Sequence, residues 1–73
     1  MINDDIIYAL ESEGYECFDY GQTIHVQAID SRGNNVMPTE DMADDIYDIA
    51  SMYDSVDVFI QRQNATVVIE VGV

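Results

Sequence analysis

Apolar residues at Met42, Ile46, Ile49, Ala50 and Tyr53 fall at offsets 0, 4, 7, 8 and 11, one stripe of a 3.6-residue helix. The spacing predicts a helix over roughly 39–53. Thr39, just after Pro38, is its expected cap, and Glu40 and Asp41 suit the positive end of the helix. A shorter stripe of Ile6, Ile7 and Leu10, flanked by Tyr8 and Ala9, predicts a first helix over roughly 4–13. Asn3 is read as its N-cap, Asp4 and Asp5 fill the first turn, and Gly14 is a natural stop.

Between and after the helices the pattern changes to alternation. The aromatic run Tyr15 to Tyr20 reads as a strand, and Thr23 to Asp30 alternates Ile24, Val26 and Ala28 with His25, Gln27 and Ile29. Gly21-Gln22 between them is a two-residue turn of the type that puts Gly first, which sets Cys17 opposite Val26 and Phe18 opposite His25. Residues 31–35 form a loop by composition. Val56 to Gln61 and Thr66 to Val71 are two further strands joined by a short hairpin loop at Gln63-Asn64-Ala65.

The order is helix-strand-strand, twice, in two halves of about 3–30 and 39–71 that match in pattern but not in residue identity. The simplest architecture is α+β, a two-layer αββαββ domain spanning 1–73, with a four-stranded antiparallel sheet and both helices on one face. Ile24, Val26, Val56, Val58, Ile60, Val67, Ile69 and Val71 then meet Ile6, Leu10, Met42, Ile46 and Ile49 in one core. The open sheet face carries Phe18, His25, Ile29, Phe59 and Val68, either as scattered surface apolar residues or as a homodimer or partner face.

Length and charge sharpen this picture. A 73-residue chain leaves room for one domain, which buries only about 60% of its unfolded surface. At 48% hydrophobic it is too apolar for disorder despite a net charge of −13. Fifteen acids face two bases, Arg32 and Arg62, with no lysine. That field repels DNA and anionic membranes, so neither is expected as a direct partner, and it attracts basic surfaces. Cys17 is alone and forms no intrachain disulfide, which fits a reducing compartment. The start of the chain has no basic region before an apolar run, and neither a signal peptide nor a membrane span is expected.

Chemistry finds little to work with. His25, the single histidine, is expected on the exposed strand face and Cys17 toward the core, so the two diverge and no catalytic pair is expected. Carboxylate pairs are plentiful, but a glycosidase also needs a cleft and an acid of raised pKa. The chain is therefore read as no enzyme, without cofactor. The run Glu40 to Asp48 lacks the ligand order of a calcium loop, and in Asp30 to Asn35 the arginine Arg32 stands where a ligand belongs. No dedicated metal site is expected.

The acids themselves are the strongest signal. Asp41, Asp44, Asp45 and Asp48 crowd the polar side of the second helix, and no Lys or Arg stands in that segment. Their i,i+3 and i,i+4 pairs cost about 0.2–0.5 kcal/mol each. At about 1.5 Å of rise per residue the carboxylates recur every 4.5–6 Å along the axis, against about 3.4 Å per phosphate along one DNA strand. A helix with this spacing suits the same basic groove as a nucleic-acid backbone. Asp4, Asp5 and Glu11 extend the candidate surface, and Tyr8, Tyr15, Tyr20, Tyr47 and Tyr53 are candidate anchors.

Small size, strong acidity, few bases and acid-lined helices on an α+β core resemble the DNA-mimic inhibitors of bacteriophages and mobile elements, the anti-CRISPR and anti-restriction proteins. The resemblance is one of overall character and shares no motif. It implies an inhibitor in the cytoplasm of a bacterial host cell that blocks target DNA recognition, its partner the basic DNA-binding surface of a protein such as a CRISPR effector complex. The leading site is Glu40, Asp41, Asp44, Asp45 and Asp48, with Asp4, Asp5 and Glu11. Two other readings compete: a non-catalytic interaction module or homodimer working through the open sheet face, and acidity that serves only solubility, as in high-salt organisms. Ten aspartates and no lysine fit the last, whereas nine isoleucines and four methionines fit it less well.

Overall fold

A two-residue turn sets the register of the first hairpin. Gly21 takes a φ of 89°, which only glycine adopts freely, and Gln22 does not follow it into positive φ. The Tyr20 N–H donates to the Thr23 carbonyl at 2.9 Å, closing the two-residue turn. Cys17 is thereby paired with Val26 and Phe18 with His25, as the turn length predicts.

The computed structural model describes residues 2–73. Its elements are α1 (Ile2–Ser12), β1 (Tyr15–Asp19), β2 (Thr23–Ile29), β3 (Asn35–Val36), α2 (Glu40–Ala50), β4 (Val56–Gln61) and β5 (Thr66–Val71). The class is α+β, and the sheet is antiparallel throughout, in the order β1-β2-β5-β4 with β3 on β2. The expected four strands and strict αββαββ order need correcting, because β3 is a fifth strand. Its cause is the side chain of Asp30, which accepts from the N–H groups of Arg32 (2.8 Å) and Asn34 (3.0 Å). With Gly33 at a φ of 83°, this turns the expected loop into a tight return. Asn35 and Val36 then pair with Ile29 and Ala28, continuing the edge of β2 that β5 leaves at Val26.

Ile6 and Leu10 of α1, Ile46 and Ala50 of α2, Ile24 and Val26 of β2, and Val67 and Ile69 of β5 form the fully buried core. Both helices therefore lie on the same sheet face. Each fully buried Ile, Leu or Val contributes about 1.5–3 kcal/mol, several times the about 0.2–0.5 kcal/mol lost at one like-charge helix pair. The core holds α2 in place against its own charge.

Three details differ from the expected pattern. Asn3 is not the N-cap of α1, which begins at Ile2. It is buried, 6% exposed, and its amide donates to the Gly21 carbonyl (2.6 Å) and to Asp19 Oδ1 (3.0 Å), tying α1 to the first hairpin. The second helix ends at Ala50 rather than near Tyr53, because Met52 and Tyr53 donate three residues back, to Ile49 and Ala50, and tighten the final turn. Tyr53 is consequently exposed, and the buried stripe is Ala43, Ile46 and Ala50, with Met42 only partly covered. The other end is as expected: the Thr39 hydroxyl accepts from the Met42 N–H at 3.2 Å.

Candidate functional site

The aspartates of α2 owe their direction to the residues between them. Ala43, Ile46 and Ala50 are drawn into the core, so Asp41, Asp44, Asp45 and Asp48 turn outward. At about 100° per residue the four fall within an arc of about 100°. All four are exposed, and among the described residues none has a basic partner within ion-pair distance. Asp4, Asp5 and Glu11 of α1 are also exposed, in the same helical layer.

Glu40 stands apart from this row. The hairpin between β4 and β5 carries Arg62 to 4.0 Å from the Glu40 carboxylate, in an exposed ion pair. The segment itself holds no base, but the fold supplies one from 22 positions away. Such an exposed pair contributes about 0–1 kcal/mol, so it marks a position rather than an anchor.

Behind Glu40 a groove of about 500 Å³ separates α2 from β4. Glu40, Ala43, Asp44 and Tyr47 form its helical wall; Asp57, Val58, Phe59, Ile60 and Arg62 form the other. Sequence reasoning did not find this groove. Its trace in the chain is the short connection, residues 51–55, that brings β4 back beside α2.

The local field is negative beyond α2. Burial, then Asp45 and Glu13, push the Tyr15 hydroxyl above its usual pKa, which links the aspartate row to the end of α1. Cys17 is pushed up to about 12, first by burial and then by Glu11 and Glu16. It packs on the core face while His25, paired with Phe18, lies on the other face. They point apart, as expected, and no group of His, Cys, Asp and Glu among the described residues is arranged to hold a metal ion.

The open sheet face holds one apolar row across the strands: Phe18, His25, Val68 and Phe59. Val68 lies on that face as expected but is only 3% exposed, flanked by His25 and Phe59 on the neighbouring strands. Phe18 and Phe59 remain 39% and 45% exposed. Tyr20 leans on His25 with ring centroids 4.6 Å apart. Asp57 and Glu70 stand directly opposite each other beside the row, an unfavourable like-charge pair. Of the candidate tyrosines, Tyr8, Tyr20, Tyr47 and Tyr53 are exposed and Tyr15 is partly buried. Among the described residues no helix is long and apolar enough to cross a membrane. Comparison with known families, with curated proteins and with solved structures finds no match for this chain.

Proposed function

We propose that this chain is a non-catalytic acidic inhibitor that occupies the basic nucleic-acid groove of a DNA-binding protein in the bacterial cytoplasm and blocks its recognition of target DNA. A CRISPR effector complex is the foremost candidate target. The observation that carries this reading is the row Asp41, Asp44, Asp45 and Asp48, exposed on a helix anchored by Ala43, Ile46 and Ala50. A row fixed by the core spares most of the ordering cost that a flexible acidic tail would meet on binding. Asp4, Asp5 and Glu11 widen the charged layer, and association is expected to be fast and salt-sensitive.

The test is capture from bacterial lysate at low salt, elution with duplex DNA, and assay of the captured protein's DNA binding with and without this chain. The parent should capture a DNA-binding complex, release it to duplex DNA and suppress its DNA recognition. Asp45→Lys with Asp48→Lys should lose all three. Undiminished inhibition by that variant refutes the assignment.

A second reading, an interaction module or homodimer using the open sheet face, draws support from the exposed Phe18 and Phe59 in one row. Phe59→Asp separates the two: it should abolish an activity seated on the sheet and leave one seated on α2 intact.

A further inference from the structure

β4 lies at the end of the sheet, paired with β5 on one side only. Among the described residues no backbone hydrogen bond from outside that ladder reaches 56–61. An edge of six residues is a ready template for another strand. The α2 groove runs beside it. Asp57, Val58, Phe59 and Ile60 point alternately to the two sheet faces, yet all four line the groove. The groove therefore follows the free backbone of β4 rather than either face. Val58 and Ile60 in its strand wall are half-buried, while Glu40, Asp44 and Asp57 set its charge.

From this arrangement we infer that β4 and α2 together form a binding site for an extended, lysine- or arginine-bearing segment of a partner protein, which adds to the sheet as a further strand. Backbone hydrogen bonds to β4 supply affinity, and alternate side chains are read by the groove and by the carboxylates. Charge selects the occupant. A second copy of this chain brings another net −13 to the edge, so β4-to-β4 pairing is opposed. Asp57 guards the edge against acidic and neutral strands, and its pairing with Glu70 leaves a negative site for a cation to offset. The same charge that deters self-pairing favours a basic strand. This site overlaps the inhibitory surface at Glu40 and Asp44 and is otherwise distinct from it: Asp41, Asp45 and Asp48 do not line the groove.

The test uses the full chain and a capped seven-residue peptide alternating lysine and valine. Two further peptides carry N-methyl groups on the odd or on the even backbone nitrogens, and a fourth has glutamate in place of lysine. Titration should shift the backbone amides of 56–61 and slow their hydrogen exchange. One N-methylated peptide should bind about tenfold or more weakly than the other, and the glutamate peptide should not bind. Asp57→Lys should weaken the lysine peptide, whereas Asp45→Lys with Asp48→Lys should keep the amide signature at 56–61. Equal binding of both N-methylated peptides, or shifts confined to residues outside 56–61, overturns strand addition in favour of simple charge adhesion. A dimer of the free chain joined through β4 overturns it in favour of a second copy. Loss of inhibition in the Asp45/Asp48 variant with peptide binding retained leaves the two sites separately judged.

Discussion

The aspartate row should weaken the fold that carries it, and the size of that effect follows from its geometry. Asp41, Asp44, Asp45 and Asp48 make four like-charge contacts at i,i+3 and i,i+4. Replacing Asp45 and Asp48 together by Asn removes three of them, about 0.6–1.5 kcal/mol at low salt. Asp48 also stands in the last turn of α2, where a negative charge opposes the helix dipole by about 0.3–1 kcal/mol. Asn and Asp have nearly equal helix propensity, so little is lost in exchange. Neither carboxylate accepts a hydrogen bond from elsewhere among the described residues. The double variant should therefore gain about 1–2.5 kcal/mol, or about 4–20 °C in Tm for a domain of this size. Thermal melts in 10 mM and 1 M NaCl measure it. At 1 M the Debye length is about 3 Å, shorter than the about 5–6 Å between neighbouring side chains, so more than half of the gain should vanish. A second readout is Tyr15, whose raised pKa should move down when Asp45 is neutral. The same variant should bind its partner less well, so stability and binding move in opposite directions. A low-salt gain that is absent, or one that persists unchanged at high salt, refutes repulsion as the cause.

Other expectations concern the supports of the fold. Asn3→Ala removes the bonds to Gly21 and Asp19 and should destabilise by about 1–3 kcal/mol in urea titration. Asn3→Asp should be worse than Ala at neutral pH, since a carboxylate has no proton to donate, and should recover on acidification. The Gly21 N–H, and then the Asn3 amide, hold the Asp19 carboxyl below its usual pKa. Because the folded value lies below the unfolded one, this support is present above the ordinary aspartate range and is lost as pH falls through the folded value. Asp19→Asn should flatten that part of the acid limb relative to the parent, and identical limbs would contradict the assignment. Ala65 adopts a φ of 50°. Ala65→Gly relieves about 1–2 kcal/mol of left-handed strain against about 0.4–1 kcal/mol of added chain entropy, so a net gain of up to about 1.6 kcal/mol, and no loss, is expected in the same titration.

What could be read along the chain was whatever depends on near neighbours. Thr39 caps α2 because its hydroxyl and the Met42 N–H are three residues apart. Gly21 sets the first hairpin's register because a two-residue turn allows one pairing. The aspartates face outward because Ala43, Ile46 and Ala50 face in. The same periodicity placed Cys17 and His25 on opposite faces. β3 lay at the limit of such reasoning: the Asp30 turn is local, but two residues carry too short an alternation to announce a strand.

Only the tertiary structure decided which distant groups meet. Asn3 has the composition of a cap, yet its better partners lie on a turn 16 and 18 positions away. Arg62 reaches Glu40 because α2 packs beside β4 and the β4–β5 hairpin returns at its N-terminal end. Val68 is outward by alternation but closed over by its neighbours, which alternation cannot show. The groove along β4 likewise exists only once helix and edge strand are set side by side. Periodicity records the direction of each side chain within its own element; what stands opposite depends on how those elements pack.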